Sequence, residues 1–399
     1  MQPLTVSDTP TTTRPRAARG RWIWRTSGIL TVGAICAGVS FAVVRGENAS
    51  PEPVPVTALP TRTVTVTAPV TALNVQSYGG PIKVTTVPGG PVQVAETVLY
   101  LDDGDGPPTV IDTDAHGLLT LAAPACANSG CSVGFAVTVP SGVTVTAAAD
   151  DGAVTVVGTG AANIDSGGGP VYAAGISGQL TVTSEDGEVT VNNAASADVD
   201  SGGGQVTATG ISGKLTVQAE SGGVTVSHAQ SATVDSGGGP VYAADISGPL
   251  AVAAEGGQVT VTDAGATKID SGGGPVTATT IRGALGVKAE GGEVQLNGVT
   301  GALTADTGGG SLSATSISSS TATVLGEDGN VTLGFTAAPV SVRVDTGGGD
   351  ASLAVPGGPY AVAADTGGST ESVLIATNPG AASSISVSTE GGNLQIVPA

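Results

Sequence analysis

Aromatic residues are almost missing from this chain: three Phe, five Tyr and two Trp among 399 residues. Globular cores usually take much of their buried area from such rings. Here Val, Ala, Ile and Leu must supply it, in many small layers. Cations are also scarce, with 13 Lys and Arg against 33 Asp and Glu and a net charge of −20. That balance excludes nucleic acid as a partner, because phosphate binding needs a basic face. The two histidines, His116 and His228, lie far apart and lack metal-ligand spacing, so they read as solvated surface or loop residues.

Catalytic signatures are absent as well. There is no Gly-x-Ser-x-Gly elbow and no phosphate-binding loop. The Gly-Gly-Gly runs adjoin acids and no helical pattern follows them, so they do not read as phosphate cradles. Lys214, Lys268, Arg282, Lys288 and Arg343 punctuate the repeats without clustering, as cleavage of acidic polysaccharides would require. The sequence predicts no catalytic residue and no cofactor, and hence a non-enzymatic protein.

Glycine, by contrast, occurs 63 times. Without a three-residue period this is not collagen, and the regular Val-x-Val alternation between glycines points to turns joining short strands. The charge is uneven. Residues 1–27 hold Arg14, Arg16, Arg19, Arg21 and Arg25 against one acid, Asp8, whereas the remainder carries eight bases and 32 acids. Residues 26–44 contain no charge, and as a helix they span roughly 28 Å, close to the hydrocarbon core of a bilayer. Trp22 and Trp24 stand where interfacial aromatics are expected. These features predict a basic cytoplasmic tail (1–25), a single transmembrane signal anchor (26–44) and an extracytoplasmic body (45–399). A signal peptide cleaved after Ala42 is the competing reading. Residues 45–69, with Pro51, Pro53, Pro55, Pro60 and Pro69, read as a Pro/Thr/Val-rich linker.

The dominant feature is an internal repeat. Asp-Ser-Gly-Gly-Gly begins at Asp165, Asp200, Asp235 and Asp270, and Glu-x-Gly-x-Val begins at Glu185, Glu220, Glu255 and Glu290, each series at a spacing of 35. One 35-residue unit therefore reads as two coils, each opening on an acid and a glycine turn. Alternating Val, Ala and Leu mark one side of the strands, and no coil can bury its apolar face alone, so coils must stack. The expectation is an all-β protein: a β-solenoid rod over residues 150–399, with a β-rich N-terminal cap over 70–149. Fourteen acidic corners from Asp150 to Glu390 predict 13 coil intervals and a rod about 60 Å long.

Stacking is expected to bring the corner carboxylates near one another. Two reliefs stay open: calcium held at Asp165, Asp200, Asp235 and Asp270, or Asp side chains accepting N–H bonds from their own turns. Cys126 and Cys131 enclose Ala-Asn-Ser-Gly, and an exported body predicts a disulfide between them. Outward threonines such as Thr190, Thr225 and Thr260 suggest ice or crystal-surface binding. That column breaks at Gln295, and the column expected beside it, Thr181 and Thr216, is interrupted by Ala251 and Gly286.

Val137-Thr138-Val139-Pro140-Ser141-Gly142-Val143-Thr144-Val145, the recurring acid-x-Gly-x-Val units and Ile176-Ser177-Gly178-Gln179-Leu180-Thr181-Val182 resemble the bacterial candidate-adhesin family of β-strand-repeat proteins. The likeness covers roughly residues 130–399. It implies a β-solenoid behind a membrane anchor, with no established catalytic role and no functional residues to carry over. The function expected is therefore a surface-exposed, membrane-anchored, adhesin-like structural or binding module of the bacterial envelope. Its partners would be the membrane, through residues 26–44, and a surface, cell-wall or host ligand. The alternative is an extracytoplasmic partner of an envelope regulatory or stress-response system.

Overall fold

The computed structural model describes residues 56–101, 111–123 and 131–399. These residues form strands joined by turns, and all 32 strands belong to one hydrogen-bonded network. The fold is an all-β solenoid of about 12 turns. The expected anchor at 26–44 lies outside the described residues, and among those described no helix is long and apolar enough to cross a membrane.

Each coil contributes to two parallel ladders. In the first ladder Val154, Val171, Val189, Val206, Val224 and Val241 are register partners in succession. In the second, Ala162, Leu180, Ala197, Leu215, Ala232 and Leu250 follow one another. The steps alternate between 17 and 18 residues, so the 35-residue unit is two coils of nearly equal length. A single strand such as Val171–Ser184 serves both ladders, bending between Ile176 and Gln179. From Val241 onward the halves are separate strands, Val241–Ile246 and Leu250–Ala254. Alternate residues point inward and form one continuous core.

The volumes in that core explain why the sequence repeats every second coil. Ile176 and Leu180 fill one level, Ala194 and Ala197 the next, then Ile211 and Leu215, then Ala229 and Ala232, all buried. A layer of branched side chains thus rests on a layer of methyl groups, which keeps the interior close-packed at a constant strand spacing.

The stack starts earlier than residue 150. Strands Ala72–Ser77 and Ile82–Val87 already form a coil in register with the array. That coil is sandwiched, pairing on its other side with Leu118–Ala122 and Cys131–Pro140. Beyond it the pairing turns antiparallel: Val92–Leu101 lies on Cys131–Pro140, and Ile111–Ala115 on Leu118–Ala122. Two segments of the expected linker are strand. Val56–Ala58 and Arg62–Val66 pair antiparallel with Val92–Leu101, and Arg62 donates to the buried Glu96 directly opposite. The opposite end uses the same device. Ser384–Ser388 inserts between Ser341–Asp345 and Ala361–Asp365, and Leu394–Pro398 between Ala351–Val355 and Glu371–Val373. The coil of residues 72–87 and the last strands, Ser384–Ser388 and Leu394–Pro398, are thus each covered on both sides, whereas Val56–Ala58 and Arg62–Val66 pair on one side only.

Candidate functional site

Two turn regions close each coil, and they differ in chemistry. At the acidic turn, a buried Ser or Thr donates to the carbonyl three residues on: Ser166 to Gly169 at 2.8 Å, Ser236 to Gly239 at 3.0 Å and Ser271 to Gly274 at 3.0 Å. Thr346 and Thr389 repeat the bond to Gly349 and Gly392. The serine after Asp165, Asp200, Asp235 and Asp270 therefore staples its turn, whereas neighbouring coils carry Ala219, Ala254 and Ala289 at this position. In two of the Asp-Thr-Gly turns the acid also takes part, Asp306 accepting the Gly308 N–H at 3.5 Å and Asp365 accepting the Gly367 N–H at 3.1 Å.

The corner carboxylates do not stack as expected. Asp200 has Thr183 and Gln218 as register partners, Asp235 has Gln218 and Ala253, and Asp270 has Ala253 and Lys288. Each Asp is thus two coils from the next, roughly 9–10 Å. The glutamates lie two residues further along the turn, where Glu185 lies level with the glycines of the flanking coils: its backbone N–H donates to the Ser166 carbonyl and its backbone carbonyl accepts from the Gly203 N–H. The 20- and 15-residue intervals, set against coils of 17 and 18, produce this offset and dilute the repulsion. Among the described residues no group of three or more His, Cys, Asp or Glu is arranged to hold a metal ion. Asp150, Asp151, Asp165, Glu185 and Asp186 line a shallow recess of about 380 Å³ at the start of this edge.

At the opposite bend the backbone turns left-handed once per coil, at Gly158, Gly175, Asn193, Gly210, His228, Asp245, Asp263, Thr280, Gly298 and Ser316. His228 is one of these bend residues, exposed and paired with Asp245 of the next coil at 3.4 Å. Arg282 bonds Asp263 across the same edge. His116 has the same conformation in the turn between Ile111–Ala115 and Leu118–Ala122. Cys131 is disulfide-bonded; Cys36 and Cys126 lie outside the described residues.

The outward sides of the ladders are distinct. The first presents Thr155, Tyr172, Thr190, Thr207, Thr225, Tyr242, Thr260 and Thr277 in one column. The threonines met in every second coil of the sequence are therefore filled in by the coils between. Thr181 and Thr216 belong to the second ladder, where Asp198, Thr233, Ala251, Lys268 and Gly286 share their column. They do not form a neighbouring threonine column. Lys214 and Lys268 border a shallow groove of about 660 Å³ on that ladder, floored by residues such as Ala251 and Gly286.

No protein-family model matches the chain, and no curated protein matches it. Among solved structures, a candidate adhesin from Parabacteroides merdae ATCC 43184 aligns over 86% of this chain and 96% of its own, at 11% identity and a TM-score of 0.21. A candidate cell adhesion protein from Clostridium sporogenes ATCC 15579 aligns over 51% and 98%, at 8% identity and the same TM-score. The solenoid assignment rests on the strand register described above.

Proposed function

We propose that this chain is a membrane-anchored, non-catalytic, adhesin-like binding or structural module displayed on the bacterial envelope. One observation carries the reading. Along both ladders every second side chain faces solvent, repeated once per coil, so the molecule offers long, regularly spaced surfaces. Such extended faces suit contact with a polymer or a surface. The arginine cluster and the uncharged stretch 26–44 support anchoring with residues 45–399 outside the cytoplasm.

Two measurements test this. External protease on intact cells, after wall digestion, is expected to remove the body; full protection beside a degraded surface control overturns the topology. The purified chain is expected to bind at least one of its own cell wall, host-matrix proteins or glycans, and failure on all three overturns the binding role. In the exported protein a disulfide between Cys126 and Cys131 predicts that both thiols label only after reduction.

A further inference from the structure

The threonine column of the first ladder is interrupted twice, both times by tyrosine. Tyr172 stands between Thr155 and Thr190, and Tyr242 between Thr225 and Thr260. Their exposures are 42% and 45%, and no other tyrosine among the described residues is comparably open. The surroundings are duplicated as well. A proline precedes each ring by two residues (Pro170, Pro240), and an alanine follows by two (Ala174, Ala244), so no bulky side chain of its own strand flanks either ring; from the next coil Glu188 stands diagonally beside Tyr172, and Gln258 beside Tyr242. Tyr242 borders a shallow recess of about 220 Å³ with Gln205, Thr225, Pro240, Gln258 and Thr260. Four coil steps separate the rings, roughly 19 Å. Thr190, Thr207 and Thr225 fill the interval, and no charge falls in this column from Thr155 to Thr277, although the chain carries −20.

We infer that this strip binds a neutral polysaccharide chain lying along the solenoid axis, with Tyr172 and Tyr242 as two equivalent stacking platforms. A sugar ring has an apolar C–H face and a hydroxyl rim. An exposed phenol ring meets the first, and the flanking threonine hydroxyls and the Gln205 and Gln258 amides meet the second. Duplication of the platform suits a ligand that repeats its own unit. The column itself is uncharged and admits a neutral polymer, while Glu188 beside Tyr172 and the acidic body as a whole repel an anionic one. Stabilising the sheet through tyrosine–threonine neighbours does not by itself require two identical open platforms. The inference rests on the reading of the chain as a binding module and names its ligand class.

Affinity electrophoresis of the purified full-length chain in neutral detergent tests it, in gels cast with hydroxyethyl cellulose, soluble mannan or glycol chitin, and with polygalacturonate as the acidic comparator. The variants are Tyr172→Thr, Tyr242→Thr and the double change. Thr207 and Thr277 already occupy the equivalent positions, so folding is preserved, as circular dichroism will verify. The wild type is expected to be retarded by at least one neutral polymer and not by polygalacturonate. Each single change is expected to weaken binding about fivefold, and the double change multiplicatively, because a chain spanning both platforms gains from their linkage. Tyr242→Phe is expected to bind within about twofold of wild type, since the ring remains. Retardation that survives the double change, or the absence of retardation in all three neutral gels, overturns the inference. Binding to cell wall or host matrix that persists in the double variant leaves the broader module reading intact and refutes only this ligand and face.

Discussion

Glycine marks the acidic edge of the coils and several of the opposite bends, yet the two edges use it for different reasons. At the acidic edge one glycine position recurs through Gly80, Gly152, Gly169, Gly187, Gly204, Gly222, Gly239, Gly257, Gly274, Gly292, Gly310, Gly329, Gly349 and Gly392, and only in the terminal coil does a side chain, Ser369, take it. From Gly152 onward, a Cβ at each would fall 1.9–2.2 Å from the carbonyl oxygen of the preceding glycine in the column. The backbones of successive turns approach so closely that no side chain fits. At the opposite edge the requirement is a positive φ, which glycine meets most easily but which Asn, Asp and His also adopt. That column accordingly reads Gly175, Asn193, Gly210, His228, Asp245 in succession. Inside the stack close approach admits only glycine, whereas a strained dihedral is a cost that other residues can bear.

The sharpest way to break this comparison is one methyl group at each edge. Gly222→Ala, with its Cβ 1.9 Å from the Gly204 oxygen, must force two coils apart and is expected to cost at least ~3 kcal/mol. Gly175→Ala meets nothing closer than 3.7 Å and is expected to cost about 1 kcal/mol, from its φ alone. Hydrogen exchange of the Val206 and Val224 amides, which bond into neighbouring coils, reports the first. Equal protection in the two variants would defeat the steric account.

A second test leaves both edges intact and alters what lies between them. Deleting residues 189–223 removes two coils and preserves the alternation of large and small layers. Deleting residues 189–205 removes one coil and sets Ile176 and Leu180 against Ile211 and Leu215. Both products are expected to fold, because all coils share the two edges, with the single-coil deletion less stable by about 1–3 kcal/mol from overpacking. Equal melting temperatures would mean that the layer alternation carries no packing energy.

Smaller effects refine each edge. Thr280, a β-branched residue at φ 58°, is poorly suited to its bend, so Thr280→Asn is expected to stabilise by about 1 kcal/mol in chemical denaturation. Ser236→Ala removes the staple to Gly239 and is expected to cost ~1 kcal/mol. The loss stays small because Ala219 and Ala254 already stand at this position in the adjacent coils. A loss above ~3 kcal/mol would make the hydroxyl indispensable and contradict those alanines.

The amino-acid sequence by itself determined the strand alternation, the two-coil unit and the identity of the inward residues such as Val171, Leu180 and Val217. These depend on neighbours two residues apart or on repetition along the chain, and both are visible in one dimension. Tertiary structure alone decided which residues share a column. Asp200 and Glu185 look equivalent as turn openers, but coils of 17 and 18 residues place one beside Thr183 and the other beside glycine. The insertion of residues 72–87 and 384–398 between strands from elsewhere in the chain was hidden for the same reason. So was the gathering of Thr155, Thr190, Thr207, Thr225, Thr260 and Thr277, with Tyr172 and Tyr242, onto one face. Partnership between coils is set by hydrogen bonds between backbones a full turn apart, and a two-residue offset along the chain moves a side chain to a different neighbour.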